Sequence, residues 1–258
     1  MTQVINTPTT DPVALYSQRL GDNGLILAQR LSAWCGHAPE LEIDLALANI
    51  GLDLLGQARN FLAYSAELQG TEYSEDRLAF ERGEREFSNL LLVEQPNGSF
   101  ADTLVRQYLM DAWNLALYTR LVESQNAQLA AIAAKAIKEV RYHLRFSRGW
   151  LVRLGQGTEL SHAKMQQALN ELWRFTRELF EADELEQSLA EQGIGVDPQT
   201  LKADWQREVE AGLREAGLTQ PAEAPYRSGG KKGLHTEHLG PLLAEMQYLP
   251  RSMPGVQW

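Results

Sequence analysis

Apolar residues recur at helical spacing along the stretch from Ala131 to Leu154. Five of them fall at steps of three, four or seven and so share one helix face, which we expect to be buried: Ile137, Val140, Leu144, Leu151 and Leu154. His143 lies at the edge of that face. Nothing in the stretch breaks a helix before Gly155, which stands where a left-handed residue commonly ends one. The pattern predicts a long helix packed in the interior.

A second long helix is predicted from Glu40 onward, in the stretch LEIDLALANIGLDLLGQARNFLAYSAEL. It is apolar around most of its circumference, so we expect it to be central, with roughly 28 residues spanning about 40 Å. Gly70 would end it. A first helix from Asp11-Pro12 to about Cys35 carries Gly21 and Gly24 in its middle, which indicates either a kink or close helix packing, and we favour packing.

The remaining pattern also predicts helices and no strands. We expect residues 1–10 to be a loose arm and residues 11–258 to form one domain with an irregular tail from about residue 218. We expect the segment 87–93 to be helical or extended against the core, and 178–191 to be a solvated helix. Further helices are expected after Ser74, over 100–122, from 161 to about 175, from Asp197-Pro198 to Ala216 with Gly217 as its end, and over 239–248. Long helices with short connections favour an antiparallel bundle.

Composition narrows the possible partners and location. The 258 residues carry a formal charge of −10, from 24 basic and 34 acidic residues, which argues against nucleic acid as the partner. The single cysteine, Cys35, suits a reducing compartment. No apolar run reaches the roughly 20 residues of a membrane span, and the first residues do not resemble a signal peptide. We therefore expect a cytoplasmic protein that does not enter a membrane.

A di-iron site is the chemistry that a helical bundle of this kind can hold. Such sites use a Glu from each of two helices and a Glu-x-x-His from each of two others, since a spacing of three places both ligands on one face. Here the position three residues before His143 is Val140, and Glu139 points about 100° away round the helix. On the second helix, Leu54 and Gln57 occupy the corresponding spacing. We therefore predict that no metal belongs to this chain.

Each candidate polar residue also has a structural interpretation. We favour His143 as a hydrogen-bonded core histidine over a metal ligand. Asp53 and Asp111 are more simply members of a buried ion pair or hydrogen-bond network than ligands, with Arg59 or Arg145 as counterions.

Basic residues offer a second kind of function, which is partner binding. A stripe along one side of the central helix is either a solvated face or a docking surface; its members are Lys138, Arg141, Arg145 and Arg148. The tail segment Ser228–Gly233, with Lys231 and Lys232, could touch phosphate or grip a partner. His235-x-x-His238 with Glu237 has metal-like spacing, but no third histidine is near.

Several strings in the chain resemble one known family. They are LEIDLALANIGLDLLGQARNF, FSNLLLVEQPNG, AIKEVRYHLRFSRGWL and GGKKGLHTEHLGPLLAEMQYL. They are similar to the non-catalytic structural subunits of bacterial phenylacetyl-CoA epoxidases, ring-oxidising multicomponent monooxygenases. The resemblance covers nearly the whole chain from about Tyr16 onward.

The resemblance implies an all-α, ferritin-like antiparallel bundle with additional C-terminal helices. It implies a partner catalytic subunit of the same fold with the di-iron centre, small bridging subunits, and a reductase that uses NADPH, flavin and iron–sulfur. Relative to that catalytic subunit, Leu54, Gln57 and Val140 stand where ligands would be, His143 matches a retained position, and Asp111 is a further candidate. The resemblance thus implies a structural subunit in phenylacetate catabolism with no catalytic or cofactor-binding residue of its own. An autonomous di-iron oxidase and a helical adaptor unrelated to oxygenases remain as alternatives.

Overall fold

The computed structural model describes residues 11–70, 72–222 and 225–253. The described part is helical and contains no strand, as predicted. Its helices are α1 (Pro12–Ser32), α2 (Leu41–Gln69), α3 (Glu75–Phe80), α4 (Phe100–Leu121), α5 (Ala127–Gly155), α6 (Glu159–Leu172), α7 (Glu184–Glu191), α8 (Lys202–Ala216), α9 (Leu239–Met246) and α10 (Tyr248–Ser252). The predicted N-terminal arm, residues 1–10, lies outside the described residues.

Four long helices form the centre of the molecule. The helix α1 packs along α2, α4 packs along α5, and α2 contacts α5, which joins the two pairs. Helices α6 and α8 cover the outer side of α4 and α5. The core that they enclose is aliphatic and aromatic, with Phe61, Tyr108 and Val140 among its fully buried side chains. None of the helices that the structure describes combines the length and the apolar character that crossing a bilayer requires.

The glycines of α1 serve close packing rather than a kink. The helix runs unbroken through Gly21 and Gly24. A Cβ atom at Gly21 would lie 2.7 Å from the Leu62 side chain, and one at Gly24 would lie 3.1 Å from the carbonyl oxygen of Leu54. The first distance is shorter than real Cβ contacts and the second is shorter than most of them, so glycine allows α1 and α2 to pack closely. The alternative of close packing is therefore the correct one.

Helix ends follow local sequence signals at most positions. Asp11 caps α1, with Pro12 in its first turn, Ser74 caps α3, and Gly217 ends α8 in the left-handed conformation with φ +69°. The predicted end of α5 at Gly155 is confirmed, but the left-handed conformation predicted for this glycine is wrong. It is the last residue of α5 and has no positive φ, and a Cβ there would run into the carbonyl oxygen of Ala216. Glycine is needed at that position for the contact between α5 and α8.

The prediction of a solvated helix over 178–191 is also wrong. The chain forms a 3₁₀ turn over Arg177–Phe180, breaks, and resumes as α7. Glu178 and Glu186 are only 1% and 5% exposed. Glu186 forms ion pairs with Lys231 at 2.8 Å and with Arg19 at 3.4 Å. Glu178 and Glu186 are buried because distant parts of the chain supply their partners.

The segment 87–93 lies against the core without regular structure. Its apolar side chains are buried, as predicted, and its polar groups are paired with other elements. The amide of Ser88 donates to Asp22, and that of Leu90 donates to Asn23, both on α1. Side chains of α1 therefore accept the hydrogen bonds of these backbone amides, which have no regular secondary structure to satisfy them.

Candidate functional site

The five positions predicted for a degenerate metal site all lie in the interior, on α2, α4 and α5. Leu54 and Gln57 of α2 are 1% and 3% exposed, and Asp111, Val140 and His143 are fully buried. The apolar pair of this set belongs to the main hydrophobic core. The structure thus places these residues in the interior, as predicted. Whether they bind a metal or form hydrogen bonds depends on the groups around them.

His143 is tied to a neighbouring helix by one hydrogen bond. Its Nε2 atom lies 3.0 Å from Oδ2 of Asp53, whose side chain is 38% exposed. The other ring nitrogen, Nδ1, is buried and has no partner among the described residues. This arrangement fits the interpretation of His143 as a hydrogen-bonded core histidine. Asp53 was expected to be buried, but it lies at the edge of the bundle.

Asp111 belongs to a fully buried hydrogen-bond network. Gln107, one turn earlier on α4, donates to Oδ1 over 2.7 Å, and the Ser147 hydroxyl donates to Oδ2 over 2.7 Å. Burial raises the pKa of Asp111 to about 6, and the nearby imidazole of His143 and the two hydrogen bonds limit that rise. The predicted network is present, and the sequence pattern did not identify Gln107 and Ser147 as members. Gln107 lies four residues before Asp111, and Ser147 lies four residues after His143. This spacing places the residues of each pair on the same helix face, and it is the sequence signal that could have identified Gln107 and Ser147.

The neighbouring polar contact joins α2 to α5. Gln57 Nε2 donates to Glu139 Oε2 over 2.9 Å, and the Tyr118 hydroxyl lies 3.4 Å from Gln57 Oε1. Glu139 is four residues before His143 and so does not have the spacing of a Glu-x-x-His pair. It nevertheless reaches α2, where its partner is the amide of Gln57.

Neither proposed counterion approaches these groups. Arg59 lies 3.4 Å from Glu75 at the surface, and the Arg145 guanidinium lies over the ring of Tyr142. The expectation that Arg59 or Arg145 would neutralise Asp53 or Asp111 is therefore wrong. Burial favours the neutral form of Asp111, which lessens the need for a counterion.

The side chains at this centre do not suit a pair of iron ions. Leu54 and Val140 have no donor atom, and the amide of Gln57 is occupied by Glu139. Across the described residues, no three His, Cys, Asp or Glu side chains are grouped so that they could hold a metal ion. The donor set thus supports hydrogen bonds and packing rather than coordination.

The basic stripe of α5 divides into two parts. Lys138, Arg141 and Arg145 are exposed. Arg148 is instead bound within the chain, at 3.0 Å from Glu208 and 2.9 Å from Glu215, both on α8. The partner-binding interpretation stays a prediction, and it now concerns the exposed part of the stripe.

The glycine segment of the tail already holds an anion from its own chain. The amides of Gly229 and Gly230 each donate over 2.8 Å to Oε1 of Glu178, and Leu91 donates to its other oxygen. Burial raises the pKa of Glu178, and these three amides oppose that rise. A phosphate would have to displace this buried carboxylate, so the geometry does not favour the predicted phosphate contact. Lys231 is held by Glu186, whereas Lys232 is exposed.

His235 also holds the tail in place through hydrogen bonds and does not coordinate a metal. Its side chain is fully buried, with Nδ1 at 2.8 Å from Glu94 Oε2 and Nε2 at 2.9 Å from the Phe87 carbonyl oxygen. Burial lowers the pKa of His235, but the hydrogen bonds to these acceptors and the charge of Glu94 outweigh it, so the net pKa is raised. Both ring nitrogens face acceptors, and neither is free to ligate. His238 lies near the surface, 3.8 Å from Glu237.

The fold and this centre define the class of protein. It is a ferritin-like helical bundle whose middle contains apolar and hydrogen-bonded side chains. Among solved structures it is similar to protein 19 with aldehyde deformylating oxidase activity from Synechococcus, with a TM-score of 0.50, 19% identity, and coverage of 81% of this chain and 88% of that one. The likeness shows the fold, and the predicted all-α, ferritin-like architecture is confirmed.

The family described as phenylacetic acid catabolic protein matches residues 1–258, and the chain belongs to that family. A curated relative, one of the subunits of the 1,2-phenylacetyl-CoA epoxidase of Escherichia coli (strain K12), is 72% identical over 243 residues. The alignment covers 94% of this chain and 98% of the relative. The predicted family resemblance and the link to phenylacetate catabolism are thereby confirmed.

Proposed function

We propose that this chain is the structural subunit of a phenylacetyl-CoA epoxidase and pairs with a catalytic di-iron subunit of the same fold. The observation that supports this most directly is the donor set at the centre of the bundle. Leu54 and Val140 pack as core where ligands would be required, and Gln57 is bound to Glu139. The 72% identity to a protein named as a subunit of that epoxidase supports the same assignment.

The physical role of such a subunit is packing. Two bundles of similar fold can lay long helices against each other, and obligate interfaces of this kind bury about 2,000 Å² or more. Filling the centre with apolar side chains removes the need for a metal to hold the helices together. In this proposal no residue of this chain contacts the reacting oxygen, and the di-iron centre lies in the partner.

The complete complex would epoxidise the aromatic ring of phenylacetyl-CoA with O₂. Small bridging subunits and a reductase with flavin and iron–sulfur, supplied by NADPH, complete the proposed assembly. The name of the relative, a subunit of an epoxidase, supports the existence of partner subunits, and the kinds of partner proposed come from the family resemblance.

Metal analysis and co-purification test the proposal together. Di-iron sites in helical bundles hold about two iron ions per chain. We expect the chain purified alone to contain far less iron than this and to turn over no phenylacetyl-CoA. We expect it to form a stable complex with the catalytic subunit, measured by native mass spectrometry. Stoichiometric iron with turnover by this chain alone would establish an autonomous oxidase instead. The absence of any complex would support a helical adaptor.

Variants of the buried centre provide a second test inside the complex. We expect His143→Gln and Asp111→Asn to leave kcat per assembled complex within about twofold of the wild type. A matched substitution of an iron ligand in the catalytic subunit should abolish turnover. A loss of kcat of more than tenfold in either variant, with assembly and iron content intact, would place this chain in the catalytic machinery.

A further inference from the structure

A row of leucines on α2 faces away from the core. Leu41, Leu45, Leu52 and Leu55 are 70%, 56%, 65% and 41% exposed. At 100° per residue their positions fall within about 80° of one another, so they form one stripe about 21 Å long. Single exposed leucines are ordinary, but four of them on one face of a helix indicate an interaction site.

A cavity of about 200 Å³ opens beside this row, between α2 and α5. Leu52 and Gly56 line it from α2, and the bonded pair of Gln57 and Glu139 lies at its inner side. Gly56 is exposed, and a Cβ atom added there would meet nothing within 4 Å. The gap is therefore large enough to receive a side chain from outside.

The lining of this cavity carries two carboxylates. Asp53 is bonded to His143, and Glu139 accepts a hydrogen bond from Gln57, but neither forms an ion pair with an Arg or Lys of the described residues. The only cationic side chain in the lining is Lys135. The cavity thus offers carboxylate oxygens to an incoming cation.

The contacts of α2 with α5 show how the two helices are paired. Asp53 pairs with His143 and Gln57 pairs with Glu139, so α2 and α5 run antiparallel. Arg141 and Arg145 each lie two residues from His143, so they point about 160° away from the cavity round α5. The α2/α5 face therefore combines an apolar row and an acidic cavity.

We propose that this α2/α5 face receives a helix of the catalytic subunit, with apolar side chains on the leucine row and one lysine or arginine inserted into the cavity between Asp53 and Glu139. The inference rests on the proposed function and adds to it the face used and the chemistry of the partner. At such interfaces, a few buried anchor side chains that fill pockets contribute most of the binding free energy.

Binding of the purified catalytic subunit to surface variants tests the apolar row. We expect Leu45→Glu and Leu52→Glu each to raise the Kd at least tenfold by calorimetry, with helical content and Tm close to the wild type. Leu160→Glu is the matched control, since Leu160 is 66% exposed on α6, away from the row. It should bind as the wild type does.

Filling the cavity tests the inserted side chain. Gly56→Leu should raise the Kd at least tenfold, because leucine occupies the gap. Gly56→Ala should bind within about twofold of the wild type, because a methyl group leaves most of the gap open. Glu139→Gln should weaken binding and reduce its dependence on salt, because it removes one of the two carboxylates that face the cation.

The outcomes separate this inference from the proposed function. If the wild-type chain forms the complex and the leucine variants and Gly56→Leu bind equally well, the α2/α5 face is not the interface, while the structural role stands. If the wild-type chain forms no complex, both proposals fail. If the chain alone is a dimer that Leu52→Glu dissociates, a second copy occupies the face and the inference is overturned.

Discussion

The Nε2 atom of His143 lies 3.0 Å from Oδ2 of Asp53 on the neighbouring helix, and the opposite nitrogen of the ring has no partner among the described residues. The imidazole is thus oriented from one side only, by a carboxylate from another helix. The position three residues earlier on its own helix, where a ligand pair would place a glutamate, is the fully buried Val140. His143 therefore has no carboxylate three residues before it and makes a single inter-helix hydrogen bond.

Asp111 should make stability fall as pH rises. Its pKa is about 6 in the folded chain against 3.8 for an ordinary aspartate, so folding favours the protonated form. That contribution is fully present below pH 3.8 and is lost as pH rises through 6, and the two-unit shift corresponds to ~3 kcal/mol. In urea unfolding from pH 4 to 7, Asp111→Asn should therefore gain stability relative to the wild type as pH rises. Asp76→Asn, at an exposed position, should follow the wild type, and parallel curves for Asp111→Asn would refute the assignment.

His235 should make the docking of the tail depend on pH. Because its pKa is raised in the folded chain, the stabilisation by the protonated ring is full below its ordinary value of about 6.5 and is lost as pH rises through the folded value. We expect His235→Gln to destabilise the chain by ~3 kcal/mol at pH 6, since it leaves Glu94 buried without its partner, and by less at pH 9. Hydrogen exchange of residues 226–252 measures this, with the exposed His37→Gln as control. An equal loss at both pH values would contradict the charged pair.

Gly230 should be required for the tail to pack. A Cβ atom there would run into the carbonyl oxygen of Asn89 and separate the local amides from Glu178. We expect Gly230→Ala to destabilise the tail by about 1–3 kcal/mol and to speed proteolysis within 226–252. Gly56→Ala, which enters open space, should not change the rate of cleavage. Unchanged protection in Gly230→Ala would show that the tail does not depend on this contact.

Charge reversal along α5 should separate folding from assembly. Arg148→Glu faces Glu208 and Glu215 and replaces attraction with repulsion, so we expect a loss of about 1 kcal/mol in stability. Arg141→Glu and Arg145→Glu lie on the exposed part and should leave Tm within about 1 °C while weakening the complex. Thermal melts and binding to the catalytic subunit measure the two effects. Unchanged assembly with both exposed reversals would show that this part of the stripe is only solvated surface.

The misplaced elements share one physical cause. The acidic stretch 178–191 has a solvated composition, yet Glu178 is buried because Gly229 and Gly230, some fifty residues later, donate to it. Gly155 does end α5, yet it is glycine because the backbone of Ala216 approaches it and not because its conformation is left-handed. In each case the deciding partner is far away in the chain, beyond the reach of a local pattern.

The sequence alone determined the helices, most of their caps, and the lack of ligand atoms at Leu54 and Val140. These depend on periodicity and on the identity of single side chains, both of which are encoded within a few residues. Only the tertiary structure decided that Asp111 is bound by Gln107 and Ser147, that Gln57 meets Glu139, and that the leucines of α2 stay exposed. Such pairings form across helices, and packing of the whole core brings them within hydrogen-bond distance.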